Sequence, residues 1–285
     1  MEWIHKLNQA MKYIEAHITE EIDWKEVGKI AGCSSYHFQR MFGYMANVSL
    51  SEYLRRRRMS LAAGDLLLGQ KVVEVALKYG YDSPTAFNRA FKSIHGIAPS
   101  RIHEGVEIKS FPPICFHISI KGDCEMNYRI EKKEAFKIAG ISMPLEQEIE
   151  KNFENVPKMW AKAQMDGTIP RILSLMDTEP KGLLGVSACS QEGNWKYYIA
   201  AATTKDALDG MEEYVVPAST WAVFPGDGTG RTVQELECRI VQEWLPTSGY
   251  EYADAPDIEL YLGENPQDMK FEVWIPVRKK EEADG

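Results

Sequence analysis

Two short segments of this sequence carry side chains suited to reading DNA bases. Residues 38–42 are FQRMF and residues 87–91 are FNRAF. Phenylalanines four residues apart share one face of a helix, which predicts that they enter a core while the Gln-Arg and Asn-Arg pairs point outward. Gln, Asn and Arg make bidentate hydrogen bonds to adenine and guanine edges in the major groove. The pairs therefore predict base-specific contact with double-stranded DNA.

We expect the DNA contacts to come from the outward faces of these two helices and from an arginine-rich segment between them. A single such helix would be weak support, since exposed helices commonly carry these residue types. Two copies in the same register argue against an accidental match. The predicted contact residues are Tyr36, Gln39, Arg40, Arg55, Thr85, Asn88 and Arg89.

The spacing of small residues places each segment in a helix-turn-helix. Gly28 and Gly32 are four residues apart in the first copy, and Ala76 and Gly80 in the second. A small residue lets two helices cross closely, and a glycine takes the positive φ that ends the first helix. Residues suited to begin or end the second helix of each copy follow at matching positions: Ser34 or Ser35, Asn47, Asp82 or Ser83, Pro84 and Gly96.

A connecting helix is predicted over residues 51–68, with four consecutive arginines at 55–58. Successive residues turn by about 100°, so these four cannot share a face of the helix. Some would reach DNA phosphates, while others pair with carboxylates or pack their aliphatic stems. A rigid connection would set the two recognition helices about one DNA turn (~34 Å) apart.

The charge of the chain is divided unevenly. The net charge is −9, but residues 1–105 carry 14 Lys and Arg against 11 Asp and Glu, a net of +3, which leaves −12 for the remainder. An electropositive first part suits nucleic acid. The five cysteines form no CxxC pair, familiar metal, nucleotide and hydrolase motifs are lacking, and no apolar run reaches membrane-spanning length. We expect a cytoplasmic protein without cofactor, metal, catalytic residues or membrane contact.

The second part of the sequence alternates in the manner of strands. A linker is predicted at 106–126, with an entering strand at 115–120. Two helices interrupt the strands, one from about Asn155 with Pro157 in its first turn and one from about Thr232 to Leu245. Strand, helix, strand, strand occurs twice in this order. We therefore expect a duplicated α+β domain at 127–285, with helices on one sheet face and a groove between the halves.

Both terminal strands place a glutamate and an aromatic residue on one face, Glu259 with Tyr261 and Glu272 with Trp274. A carboxylate beside aromatic rings holds a lipophilic cation, each ring contributing about 0.5 to 2 kcal/mol. An ordinary sheet with one wet face accounts for the pattern equally well. Further predicted pocket walls are Trp195, Tyr197, Trp221 and Phe224.

Two known families resemble these halves. The helical repeat, including YGYDSPTAFNRAFKSIHGIAPSRI, resembles the DNA-binding domain of the AraC/XylS family over residues 5–105. This implies seven helices, two of them recognition helices. The PTA at 84–86 departs from relatives with longer polar residues there, which favours the first recognition helix for base contact.

PDIELYL followed by FEVWIPV resembles the GyrI-like effector-binding domain over residues 127–278. This resemblance implies a duplicated strand-helix-strand-strand module whose cleft binds amphipathic, often cationic, ligands at a buried glutamate. By motif position that residue is Glu259, with Glu272 and Trp274 in support.

The expectation is a two-domain regulator. An all-α double helix-turn-helix at residues 1–105 binds promoter DNA, and the α+β domain senses a small molecule, with RNA polymerase as a further partner and activation as the outcome. Two alternatives stay open. The second domain would hydrolyse a small molecule with glutamate as general base, or bind another protein, while the first supplies targeting.

Overall fold

The computed structural model describes residues 2–103, 105–116, 125–146, 149–189, 195–263 and 269–280. Helices form its first part, and within residues 2–103 their number agrees with the predicted seven. They are α1 (Glu2–Ala16), α2 (Trp24–Ala31), α3 (Ser35–Ala46), α4 (Leu50–Leu67), α5 (Val72–Lys78), α6 (Pro84–His95) and a 3-10 turn (Pro99–Arg101). The pairs α2–α3 and α5–α6 are the two helix-turn-helix copies, and α4 is the connecting helix.

The predicted close crossing of α2 and α3 depends on Gly28. A Cβ atom at this position would lie 2.8 Å from Cys33 O and 2.9 Å from Ser35 N, closer than a side chain tolerates. Ala76 takes the corresponding place in α5 and is buried. The small residue is therefore a packing requirement, as the spacing predicted.

Each recognition helix begins and ends as predicted. Of the alternatives left open, Ser34 and Ser83 are the N-caps, and each hydroxyl accepts a backbone N–H from the first turn. Asn47 and Gly96 end the helices in the left-handed conformation, at φ 51° and 80°. The phenylalanines at 38, 42, 87 and 91 are all buried. The first two lie in a core shared with the second part of the chain, and the last two in a core formed by α4, α5 and α6.

The four arginines of α4 have partners inside the chain. Arg55 and Arg56 share Glu52, at 2.7 and 2.6 Å, and Arg57 lies 2.6 Å from Glu15. The fourth donates to a backbone carbonyl after α1. Pairing with carboxylates, which was expected for some of the four, applies to the first three, while the fourth pairs with a carbonyl instead.

Residues 106–116 run back across the helical half. The amide of Asn8 in α1 exchanges two hydrogen bonds with the backbone of Phe116, at 3.0 and 2.8 Å. Arg57 donates to Phe111 O at 2.7 Å. The Phe116 ring joins the core beside Phe42. Residues 115 and 116 form no strand, and the rest of the predicted entering strand lies outside the described residues.

The second part is an antiparallel sheet with helices. Its strands are β1 (Arg129–Lys133), β2 (Phe136–Pro144), β3 (Leu183–Ala188), β4 (Lys196–Ala202), β5 (Glu212–Val216), β6 (Ser219–Gly228), β7 (Tyr250–Tyr252), β8 (Asp257–Tyr261) and β9 (Met269–Lys279). Its helices are α7 (Ile149–Met165), α8 (Thr168–Leu175), α9 (Gly230–Arg239), a π-helical turn (Ile240–Trp244) and α10 (Leu245–Thr247).

The sheet has the predicted duplication. Its order is β1-β6-β9-β8-β3-β4-β2-β5, with β7 beside β9. The units β2-α7-β3-β4 and β6-α9-β8-β9 correspond, and β3 meets β8 at the centre. The two predicted helices, α7 and α9, pack on one face, as predicted, and α8 packs on the same face.

Two helix predictions for this half need correction. The first helix begins at Ile149 instead of near Asn155, so Pro157 lies inside it. A proline lacks the N–H that would donate to the carbonyl four residues back, which belongs to Phe153. Phe153 is 43% exposed. The second correction is α8, which follows Gly167 at φ 78° and was not predicted.

Candidate functional site

The first recognition helix lies against the second domain. Arg40 of α3 donates to Asp257 Oδ2 of β8 at 2.9 Å and also to Glu237 of α9. The Tyr44 hydroxyl donates to the other oxygen of Glu237, at 2.6 Å. We call these four residues the Arg40 cluster. All of them are largely removed from solvent, with the Arg40 side chain 11% exposed.

The charge of Arg40 is secured by its neighbours. Burial would lower the pKa of this guanidinium, but the negative charge of Glu237, followed by nearby tyrosines and Asp257, raises it well above its ordinary value. Arg40 is therefore cationic at every physiological pH. Arg40 donates hydrogen bonds to both carboxylates of the cluster.

The other predicted contacts of α3 are also partly covered. Tyr36 is 5% exposed, and its ring meets Trp195 edge-on at 5.3 Å. Gln39 is half-buried. His37, which sequence reasoning did not single out, stacks on Tyr252 at 4.7 Å between ring centroids. The face of α3 that was predicted to read bases is thus the face that packs on the second domain.

The second recognition helix has a free outer face. Thr85, Asn88 and Arg89 are all exposed on α6. Arg55, the predicted contact from α4, is 41% exposed in its side chain and donates to Ser93 of α6 at 2.9 Å. The structure therefore leaves the α6 contacts available to DNA. Whether each residue touches DNA stays a prediction.

A second cluster surrounds Glu259 at the centre of the sheet. Its carboxylate accepts the hydroxyls of Tyr261 at 2.6 Å and Tyr197 at 3.2 Å. Trp160 of α7 donates to the Tyr197 hydroxyl at 2.9 Å and meets the Tyr261 ring edge-on at 5.0 Å. These four residues are the Glu259 cluster. A Cβ at Gly185 would lie 2.3 Å from the Tyr197 hydroxyl, so a glycine in β3 makes room for it.

The Glu259 carboxyl is a weak acid in this setting. Burial, followed by the negative charge of Glu237, raises its pKa to about 7 despite the tyrosine hydrogen bonds and the positive charge of Arg40. Among the described residues no lysine or arginine forms an ion pair with it. At neutral pH the cluster therefore presents a carboxyl near half-ionisation, beside three aromatic rings.

The remaining predicted pocket residues do not meet Glu259. In the antiparallel register Glu259 opposes Val273, whereas Glu272 opposes Leu260, so Glu272 and Trp274 lie on the other sheet face. The residues Trp195 and Phe224 share the face of Glu259 but are buried under Tyr36 and Trp244, while Trp221 is buried on the opposite face. The alternation within each strand was predicted, but the pairing between strands was not.

Glu272 and Trp274 already contact cationic side chains of the same chain. Arg129 lies 2.9 Å from the Glu272 carboxylate, and Lys133 lies 5.2 Å from the centre of the Trp274 ring. Trp274 Nε1 donates to Glu272 at 2.8 Å. A glutamate beside an aromatic ring thus binds basic side chains here. Glu259, by contrast, forms no ion pair with a lysine or arginine among the described residues.

Sequence reasoning missed several residues that the structure brings to these clusters. Trp160 was assigned to a helix without a role, and Asp257, Glu237 and Tyr44 were not considered. Trp160 is the one with a usable signal, because it lies on the helix that packs across the central strands. The ion-pair partners of Arg40 lie 197 and 217 residues away and carry no local signal.

A cleft of about 320 Å³ lies along a flank of α7 that Trp160 does not occupy. It is lined by Ile141 and Ser142 of β2, Met159 and Lys162 of α7, and further residues at 163, 166, 168, 210 and 212. Helix α7 is therefore incompletely packed on that side. Within the described ranges there is no group of acidic, histidine and cysteine side chains that would hold a metal. No helix in those ranges is long and apolar enough to cross a membrane.

The family comparison identifies the sheet half. The model of the integron-associated effector binding protein family, Cass2, matches residues 129–277, more than half of the chain. The chain belongs to this family. A helix-turn-helix domain model matches residues 27–104, so this Cass2-family protein is an AraC-type DNA-binding transcriptional regulator with a GyrI-like effector-binding domain, as the two resemblances implied.

Known proteins are similar to the whole of this Cass2-family regulator or to one part of it. The right origin-binding protein of Escherichia coli K12 is 25% identical over 96% of this chain and 98% of its own length. The HTH-type transcriptional activator AarP of Providencia stuartii is 34% identical over 33% of this chain and 70% of its own. A putative transcription regulation protein of Staphylococcus aureus MU50 covers 54% of this chain and 99% of its own at 20% identity and a TM-score of 0.46.

Proposed function

We propose that this regulator binds a small lipophilic cation at the Glu259 cluster and activates transcription in response. The observation that carries the proposal is a carboxylate among three aromatic side chains that forms no ion pair with a lysine or arginine of the described residues, although the more distant charge of Arg40 lowers its pKa. Glu272, with similar neighbours, is neutralised by Arg129. A cation from solution would fill the corresponding role at Glu259.

The energetics favour a ligand that is both charged and apolar. Removing the carboxylate from water raises its pKa, and a cation in contact restores the stability of the charged form. Each well-placed ring adds about 0.5 to 2 kcal/mol by cation–π attraction. A neutral ligand of the same shape gains only the apolar contact.

Entry of a ligand requires movement of Trp160. Its indole covers Tyr261 and is itself half-buried, so the cluster is closed as it stands. Helix α7, which carries Trp160, has the 320 Å³ cleft along another flank. We propose that α7 shifts toward this space when a ligand enters between Trp160 and the sheet.

On the DNA side, we propose that Tyr36, Gln39 and Arg40 read one major-groove segment. Thr85, Asn88 and Arg89 read the next, and Arg55 contacts a phosphate. Their side-chain chemistry and the exposure of the α6 set support these roles. We further propose that the DNA-bound regulator contacts RNA polymerase, and that the effector is bound without chemical conversion.

Calorimetric titration with tetraphenylphosphonium tests the ligand site, and triphenylphosphine oxide serves as a neutral probe of similar shape. We expect Glu259→Gln to weaken binding of the cation at pH 8 by at least about tenfold and to leave the neutral probe within about twofold. Glu272→Gln is the matched control and should change neither. Equal loss for both probes in the Glu259→Gln variant would remove the charge from the proposal.

The pH dependence gives a second test of the same carboxyl. Because its pKa is about 7 in the free protein and only the ionised form attracts a cation, affinity for tetraphenylphosphonium should fall about tenfold per pH unit below 7. Above about pH 8 it should level off. The Glu259→Gln variant should show a flat profile. A flat wild-type profile from pH 5 to 8 would contradict the assignment.

Chemical stability of the bound molecule separates a sensor from a hydrolase. Incubation of the wild-type protein with candidate esters and amides, followed by mass spectrometry, should show no product beyond that formed by the Glu259→Gln variant. Product formation that depends on Glu259 would establish general base catalysis instead.

A further inference from the structure

We propose that the second domain is an intramolecular competitor of DNA. Its Asp257 and Glu237 occupy the base-reading face of α3, so the first helix-turn-helix is masked while the second remains free. The inference rests on the proposed DNA contacts of α3. It adds that these contacts and the interdomain contacts exclude each other.

The overlap of the two surfaces is direct. Tyr36 and Arg40, the central predicted base contacts of α3, are the residues that meet Trp195 and the two carboxylates. An arginine with its side chain 11% exposed cannot reach a guanine edge. DNA binding by α3 therefore requires the second domain to leave this face.

The chemistry of the competitor resembles that of the nucleic acid. Arginine presents a planar fork of N–H donors to DNA, where phosphate oxygens or guanine acceptors receive them. In this structure Asp257 and Glu237 receive the same donors. The acidic character of residues 106–285 suits a surface that replaces DNA.

The masking contact is exchangeable. Burying an ion pair costs desolvation energy that offsets much of its attraction, so such a pair adds little net stability. Opening returns Arg40 and both carboxylates to water, and DNA phosphates then compete for the arginine. Apolar contacts between the domains, such as Tyr36 on Trp195, then determine the equilibrium between the masked and the open form.

Two elements connect the Arg40 cluster with the Glu259 cluster. Asp257 and Glu259 lie two residues apart in β8, on one face and separated by about 7 Å. Helix α7 carries Trp160 in the Glu259 cluster and, two turns earlier, Phe153, whose ring lies 6.4 Å from that of Tyr44 in α3. A ligand that displaces Trp160 therefore moves a helix that also contacts the recognition helix.

The test removes the competitor and leaves α3 unchanged. The variant Asp257→Asn/Glu237→Gln keeps the size of both side chains and removes their charges. The matched control is Asp254→Asn/Glu235→Gln, which removes two exposed charges beside β8 and on α9. The probe is a duplex enriched from a random-sequence pool by the Asp257→Asn/Glu237→Gln variant, and affinity and hydroxyl-radical footprints are measured for all full-length chains.

We expect the Asp257→Asn/Glu237→Gln variant to bind at least about tenfold more tightly than the control, as follows when the open form is populated at about one-tenth or less. Its footprint should cover two major-groove segments about one helical turn apart, while the wild type protects one. An affinity equal to that of the control overturns the proposal. So does a wild-type footprint that already covers both segments on a duplex that the wild-type chain itself enriches from the same pool, a result that does not require any variant to fold.

Failure of the underlying DNA contact would appear separately. Arg40→Ala in the Asp257→Asn/Glu237→Gln background should lose affinity and the second footprint segment. If that substitution has no effect, α3 does not read DNA and the proposed function of its residues is wrong. If it has an effect while the charge removal has none, the DNA contact is retained and the masking alone is overturned.

Discussion

The two helix-turn-helix copies are alike inside and different outside. Both bury paired phenylalanines, both begin the recognition helix with a capping serine, and both end it in the left-handed conformation. Yet α3 packs its outer face on the second domain, whereas α6 exposes the corresponding side chains to solvent. A duplicated motif therefore determines a local fold, while its availability for binding depends on what else the chain packs against the outer face of its recognition helix.

Removal of a buried phenylalanine from each helix-turn-helix copy tests whether the two interiors are alike. Phe38→Ala and Phe87→Ala should each lower the free energy of unfolding by about 3 to 5 kcal/mol, because both rings are fully buried and leave a cavity. Urea denaturation followed by far-UV circular dichroism measures the loss, with Phe→Leu at each position as a milder control. A large loss at one position alone would show that the two cores are not equivalent.

Removal of an arginine from each recognition helix tests whether the outer faces of the two helices differ. Arg40→Ala should lower stability by about 3 kcal/mol, because it leaves buried carboxylates without their partner, while Arg89→Ala should stay within about 0.5 kcal/mol of wild type. Thermal unfolding of the two variants provides the measurement. Arg40→Ala in the Asp257→Asn/Glu237→Gln background should lose much less. Equal, small losses for both arginines would mean that the Arg40 cluster does not form in solution.

A comparable effect on DNA binding is expected from the free copy. Arg89→Ala should weaken binding of the enriched duplex by about 1 to 3 kcal/mol and relax base preference at one position. Lys92→Ala, an exposed change on the same helix, should weaken all duplexes alike. Competition assays with single-base variants of the duplex distinguish the two. A uniform loss for Arg89→Ala would assign this arginine to phosphate contact.

The smallest effect concerns the caps. Ser34→Ala and Ser83→Ala should each cost about 1 kcal/mol, since each removes one side-chain acceptor for a backbone N–H. Ser34 should show the larger loss, because it is buried and its hydroxyl also lies 2.9 Å from His37 Nδ1. Urea denaturation with Ser→Asn at each position as the cap-retaining control measures this. A larger loss at Ser83 would contradict that ranking.

The features that the sequence predicted well are those that depend on residues close to one another along the chain. Gly28 and the capping serines predict the helix-turn-helix copies because their contacts lie within about ten residues. The paired phenylalanines do so by their helical spacing, although Phe42 also packs on the distant Phe116. Glu259 was also predicted, since the alternation of DIELYLG assigns it to a face with Tyr261. Local periodicity thus accounts for the fold of the first half. The choice of Glu259 as the central carboxylate of the second came from the resemblance to the GyrI-like domain.

The features that sequence did not predict depend on how distant segments pair. The strand register separates Glu272 and Trp274 from Glu259, although each strand alternates as expected. The partners of Arg40 are more than 190 residues away, and exposure had been the basis for assigning Arg40 to DNA. Neither pairing leaves a trace in a single sequence, because both arise only when separate elements pack.

The return of residues 106–116 across α1 and α4 determines where this chain can be divided. A fragment truncated at residue 105 would expose the amide of Asn8, leave Arg57 without the Phe111 carbonyl, and remove the Phe116 ring from the first core. A fragment that extends through residue 116 keeps all three. Gene fusions that exchange sensors between such regulators should therefore join beyond this point, so that the transplanted reader carries its own closing segment.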